Sequence, residues 1–180
     1  MSALSRLYDE GDVLFDDMLR DIDCAKRSIR LESYIFASDI VGRQFIDALV
    51  HCAVRGISVH LRADHAGSWS VLSRADIDRM RTAGVRFEWS RPWSPRRPLT
   101  INRRNHRKLL VVDESVAYVG GFNVHAASSL RATGRARWRD THVRFVGDSA
   151  AAAATVFDCY LDVPPDWLPP VTGSPWLLPN

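Results

Sequence analysis

Polar and apolar positions change rhythm several times along this chain. Residues 11–27 place apolar side chains at helical spacing, and the stretch SIRLESYIF then switches to alternation, with Ile29, Leu31, Ser33 and Ile35 set against Arg30, Glu32 and Tyr34. A period near 3.6 followed by a period of 2 predicts a helix and then a strand. DIVGRQFIDALVHCAVRG reads as a second helix stopped by Gly56, and ISVHLRAD as a strand with Ile57, Val59, Leu61 and Ala63 on one side. Strand, helix and strand in this order predict a parallel pair with a right-handed crossover. A third helix over 71–83 ends at Gly84 and leads into the strand VRFEWS.

RPWSPRRPLTINRR is too rich in proline for regular structure. It runs into NHRKLLVVD, whose apolar end, Leu109 to Val112, reads as a buried strand. SVAYVGGFNV is a further strand with a glycine turn, DTHVRFVG another, and DSAAAAATVFDCYL a helix with Asp148 or Ser149 as its N-cap. From Val163 to Asn180, six prolines and two tryptophans make an irregular tail. The expected organisation is one domain over 1–162 and a proline-rich tail over 163–180, without internal repeats.

The composition fits that plan. With 180 residues, 46% hydrophobic and 25% charged, the chain can build one substantial core. No apolar run approaches the ~18 to 20 residues of a membrane-spanning helix. The opening MSALSRLYDEGD lacks the basic-then-apolar layout of a signal peptide, so a reduced, cytoplasmic setting is expected. Cys24, Cys52 and Cys159 are odd in number and set in apolar helical patterns, which reads as core cysteines rather than a disulfide framework or a zinc site. The net charge is only +3, but residues 91–108 hold seven Lys or Arg and no acid. An anionic partner fits that strip; so does a solvated loop.

Lys26 and Lys108 are the two lysines among 24 basic residues. Arginine is a rigid planar fork and lysine a point charge on a flexible stem, so a lysine two residues after His106 marks a position with its own chemistry. On a strand, His106 and Lys108 face one way, while Arg107 and Asp113 face the other. Imidazole and ammonium therefore share a site, and Asp113 closes the turn in VDES as scaffold. The spacing H-x-K-x-x-x-x-D has a chance expectation of roughly 0.006 in this composition. Seven residues on, Gly120, Gly121, Phe122 and Asn123 offer backbone amides and a carboxamide suited to phosphate oxygens.

These residues resemble the phospholipase D superfamily, whose signature is this HKD motif followed by a glycine turn and asparagine. ESYIFASDIVGRQFIDAL, RGISVHLRADHAGS and RWRDTHVRFVGDSA extend the resemblance to the N-terminal half of a bacterial cardiolipin synthase, over about residues 20 to 160. Those synthases carry two HKD motifs per chain; this sequence holds one. The resemblance implies an α/β fold with a mixed sheet flanked by helices, and a two-step transfer through a phosphohistidine without metal or other cofactor. His106 would be nucleophile or general acid, and Lys108, Gly120, Gly121 and Asn123 would bind the phosphate. Asp140 matches the carboxylate that holds the imidazole in one tautomer, and Asp113 completes the motif as scaffold. The duller reading of Asp140 is an ion pair with Arg137 or Arg139. Glu32 and Asp64 read as edge carboxylates outside the site, and His125 as a loop residue.

Three functions follow. The first is a phosphatidyltransferase acting on anionic phospholipid, peripheral to the inner face of the cell membrane; Trp89 and Trp93 beside Arg91, Arg96 and Arg97 suit an anionic interface. The second is a single-motif dimeric endonuclease, with nucleic acid as substrate. The third is a non-catalytic half that partners a complete synthase. The single motif implies a homodimer or a second HKD chain.

Overall fold

The alternation in SIRLESYIF forms a strand at the heart of the sheet, and the elements around it follow the predicted order. The computed structural model describes residues 3–92 and 104–159. In chain order these form β1 (Ala3–Tyr8), α1 (Gly11–Asp23), β2 (Ser28–Ser33), α2 (Ile40–Val54), β3 (Ser58–Asp64), α3 (His65–Ser68), α4 (Arg74–Thr82), β4 (Arg86–Ser90), β5 (Leu109–Val112), β6 (Val116–Gly120), α5 (Leu130–Thr133), β7 (His142–Val146) and α6 (Asp148–Asp158). The tail over 163–180, and Trp93, Arg96 and Arg97 of the basic strip, lie outside the described residues.

The seven strands form one mixed sheet in the order β1-β7-β6-β5-β2-β3-β4. β2, β3 and β4 run parallel, as the crossover helices require, and the remaining pairs are antiparallel. Apolar side chains from α1, α2 and α4 meet one face, with Leu14, Phe45, Leu49 and Met80 packed on Leu31, Leu61 and Leu110. On the other face Leu109, Val111 and Ala117 meet Ala150, Ala153, Ala154 and Phe157 of α6. The alanine run of α6 lets that helix lie close. Each fully buried Leu or Phe contributes about 1.5–3 kcal/mol on removal from water. β5 is buried on both faces, so its four residues are uniformly apolar.

Some expectations are corrected. β1 forms at the sheet edge and leaves Leu4 and Leu7 exposed; without one buried face its alternation is blurred. Cys52 is buried, but Cys24 is exposed and Cys159 only half-buried. Helix α6 starts after Gly147 with no side-chain cap, so neither Asp148 nor Ser149 is its N-cap. The motif strand begins at Leu109, leaving His106 and Lys108 in the extended segment that enters it.

Asp113 explains how the motif is anchored. With Glu114 it adopts positive φ, 53° and 57°, in the three-residue turn, Asp113 to Ser115, joining β5 to β6, and Asp tolerates that region better than most residues. Its carboxylate accepts hydrogen bonds from the backbone N–H groups of Lys26, Arg27 and Ser28 at 2.7–2.9 Å. Partial burial works to raise its pKa, but those N–H bonds hold the carboxyl below its ordinary range. Asp113 thus ties the hairpin to the start of β2, at the end of β5 remote from His106.

Candidate active site

His106 and Lys108 point to one side and Arg107 to the other, although the segment carrying them is not yet strand. Arg107 pairs with buried Glu32 at 3.1 Å. Lys108 Nζ sits 2.9 Å from His106 Nδ1 and donates to the His106 carbonyl at 2.7 Å. The imidazole is solvent-exposed, whereas Lys108 is only 5% exposed. Both open into a cavity of about 490 Å³ that is also lined by Gly120, Gly121, Asn123 and Asp140. The structure therefore brings together every proposed site residue except Asp113.

Burial, opposed by the charges of Asp140 and Asp64, brings the Lys108 ammonium down to about 8. The His106 imidazole is held below its ordinary value, first by burial and then by the Lys108 charge. A neutral imidazole beside a cation near neutral pH is the combination that attack on an anionic phosphodiester needs.

Asn123 Oδ1 accepts the Ile35 N–H at 2.9 Å, which leaves the Nδ2 hydrogens as what this cavity-lining carboxamide offers. Asp140 caps the Thr141 N–H at 2.7 Å. Arg137 and Arg139 pair instead with Glu10, so the simple ion-pair reading of Asp140 does not hold. Nor does Asp140 hydrogen-bond to the imidazole: Lys108 occupies the Nδ1 position, and Asp140 acts on both groups through its charge.

The two glycines of the turn are required for different reasons. A Cβ on Gly120 would lie 2.4 Å from the Thr141 carbonyl oxygen and 2.5 Å from His142 Cα, whereas one on Gly121 would lie 1.9 Å from Asp140 Oδ1. Backbone cannot give way; a carboxylate can rotate. Gly120→Ala is therefore expected to destabilise the fold by about 2 kcal/mol or more. Gly121→Ala should keep near-native stability but turn Asp140 out of place and lower turnover. Thermal melting beside steady-state rates separates the two outcomes.

Sequence reasoning missed several supporting groups. Asp64 and Glu32 read from the sequence as edge carboxylates, yet both are buried at the carboxyl ends of interior strands. Asp64 accepts the Asn105 N–H at 2.8 Å and caps α3 through Ala66 and Gly67. Glu32 takes the Asn105 carboxamide and Arg107. Their place at the ends of parallel strands, where α/β sheets build sites, was the available signal. Tyr34 packs its ring 4.3 Å from that of His106, and Lys108 Nζ lies 5.4 Å from the same ring. His125, expected to be a loop residue, is buried beneath Trp138 of the cavity wall, its ring 5.1 Å away in an edge contact. Among the described residues no group of three or more His, Cys, Asp or Glu comes together.

The fold and this site define a phospholipase D-like domain, and comparison with known proteins agrees. The phospholipase D family member Nuc from Salmonella typhimurium superposes with a TM-score of 0.62 at 20% identity, over 90% of this chain and 93% of that one. NucT from Helicobacter pylori gives 0.66 at 15% identity, over 90% and 97%. A phosphatidylserine synthase from Haemophilus influenzae gives 0.69 at 12% identity, over 89% and 38%. Residues 18–147 match the family model described as the cardiolipin synthase, phospholipase D-like domain, and the chain belongs to that family. It is 37% identical over 142 residues to a cardiolipin synthase of Clostridium perfringens, covering 78% of this chain and 29% of that protein. A cardiolipin synthase 2 of Staphylococcus epidermidis matches at 37% over 147 residues, 81% and 30%. The chain thus spans about three tenths of the length of these curated relatives.

Proposed function

We propose that this domain transfers a phosphatidyl group between alcohols through a phosphohistidine on His106, with anionic phospholipid as substrate. The observation that carries the reading is the convergence of His106, Lys108, Asn123, Asp140 and the glycine turn on one cavity in a chain of the cardiolipin synthase family. In the resting arrangement the ammonium occupies Nδ1, which leaves the proton on Nε2. A bound phosphodiester gives Lys108 an anionic partner in place of Nδ1; the imidazole then carries its proton at Nδ1 and presents the Nε2 lone pair. Nε2 attacks phosphorus, a P–N bond forms, and the P–O bond to the leaving alcohol breaks.

The departing alkoxide needs a proton, which a second histidine donates. That histidine then takes the proton of the acceptor alcohol, whose oxygen displaces His106 and breaks the P–N bond. Lys108 and the Asn123 amide stabilise the phosphoryl oxygens throughout, and the Asp140 charge favours the cationic imidazole. His125 and His142 are buried, and neither joins a second lysine and glycine turn. A second HKD motif outside the described residues, facing the first near a two-fold axis, is the source of acid that fits this reading.

Incubation with phosphatidylglycerol vesicles and, separately, with plasmid DNA tests the reading. The expected products are cardiolipin and one glycerol from two phosphatidylglycerol molecules, with the plasmid left intact; nicked plasmid and unchanged lipid would favour the endonuclease. Turnover should survive excess chelator. Titrating His106→Ala chains into active ones should reduce activity more steeply than dilution, and a monomer working at full rate would refute the shared site.

A further inference from the structure

Beside the cavity the surface changes character. Helix α3 buttresses the wall of the site: Ser68 Oγ donates to the Tyr34 carbonyl at 3.0 Å, and Gly67 lies so close that a Cβ would meet the same oxygen at 2.2 Å. The next residue, Trp69, turns outward and is 65% exposed. Ser38 N–H donates to the Val71 carbonyl at 2.8 Å, and Ser73 N–H to Ser38 Oγ at 2.8 Å. That pairing sets the start of α2 against the loop before α4, so Ile40 at 67% and Val71 at 43% exposure belong to one rim with Trp69.

This rim is rigid. The His65 ring lies 4.9 Å from Trp69 and 5.3 Å from Trp89, the two indoles are 6.3 Å apart, and Phe87 supports Trp89 at 5.0 Å. Between the indoles and α4 runs a groove of about 390 Å³, floored by Leu72 and Ile77 and flanked by Arg74 and Arg81. Arg74 is exposed and makes no ion pair with any described residue. Exposed aliphatic side chains cost solubility, and a protein keeps several together where something covers them.

We propose that Ile40, Trp69, Val71 and Trp89, with Arg74 and Arg81, form the surface on which this domain docks onto a bilayer of anionic phospholipid. Amphipathic aromatic rings suit the boundary between headgroups and acyl chains, and arginines beside them suit an anionic leaflet. The groove has the matching polarity, apolar at its floor and cationic at its rim. A second copy is a poorer occupant, since two-fold pairing would set the arginine-bearing surface against itself. The proposal rests on the lipid reading of the cavity and adds where the lipid comes from: docking lays the headgroup plane beside Tyr34 and His106.

The test is made on the full chain carrying His106→Ala, so that binding is read without turnover. Sedimentation with phosphatidylcholine vesicles, with and without phosphatidylglycerol, should show binding only when the anionic lipid is present. Adding Ile40→Ser and Trp69→Ser should weaken it by about tenfold or more. Arg74→Gln and Arg81→Gln should each cost about fivefold at low salt. Circular dichroism checks that the variants fold. Trp69→Phe should keep binding while reducing the indole emission that brominated lipid quenches, with Trp89 supplying the remainder. Equal binding by parent and Ile40→Ser/Trp69→Ser chains, equal binding to neutral vesicles, or a change of oligomeric state in place of lost binding would each overturn the proposal. Intact vesicle binding, with no conversion of phosphatidylglycerol by the chain that retains His106, would support the docking surface and refute the proposed reaction.

Discussion

His106→Ala should lower phosphodiester turnover by at least ~10⁴-fold while leaving the fold intact, the order of loss seen when a covalent nucleophile is removed. The imidazole is exposed and belongs to neither core cluster, so its removal loses mainly the ring contact with Tyr34 and the bond at Nδ1. Substitutions of that kind usually shift stability by no more than about 0.5 kcal/mol. Acid-quenched reactions of the parent with labelled substrate should yield a phosphoryl group that is stable in base and labile in acid, mapping to His106. A His106→Ala protein that turns over within tenfold of the parent would sink the assignment, as would an adduct elsewhere.

The fold was legible wherever burial imposed a period. β2, β3, β4 and the helices between them carry clean alternation or helical spacing because each packs on one contiguous core. β1 was not, since residues 4–7 of this edge strand are exposed on both faces and no buried side imposes alternation. The pairing of His106 with Lys108 was also legible, because an extended backbone keeps its parity even before ladder bonds begin. The roles of Asp64 and Glu32 were not. Their importance lies in what folds over them: Asn105 from 41 residues beyond Asp64 and 73 beyond Glu32. A carboxylate's partners across such separations leave no local pattern.

The tautomer arrangement shows the same limit. Sequence reasoning supplied a carboxylate for the imidazole because triads commonly have one. Here the ammonium reaches Nδ1 first, since the same parity that aims both side chains at the cavity sets them within 2.9 Å of each other. Asp140 is then left to act through space, and Gly121 is the residue that lets it come close.

Lys108 has opposing effects on rate and on stability. Lys108→Arg keeps a positive charge but replaces a compact ammonium by a planar fork in a position that is 5% exposed. Turnover should fall roughly 10²–10³-fold, the loss typical of one misplaced oxyanion donor. Its residual activity should also have a different pH profile. In the parent, kcat/KM should rise through a histidine limb below the ordinary imidazole value and decline through a second limb near the Lys108 value of about 8. Arginine does not titrate in that range, so the upper limb should vanish in the variant.

Stability should move the other way. Burial lowers the Lys108 pKa in the folded state from 10.5 to about 8, so between those values the unfolded chain holds a proton that the folded chain has lost. Stability contributed by this group therefore rises with pH across that window, and below pH 8 the full penalty of a buried ammonium remains. Lys108→Met removes the charge and keeps the apolar stem. The expected result is an inactive protein that melts a few degrees higher at pH 7, with the advantage shrinking as the pH approaches 10. If Lys108→Met instead melts well below the parent at pH 7, the ammonium is holding the fold together, and its loss of activity would no longer report on catalysis.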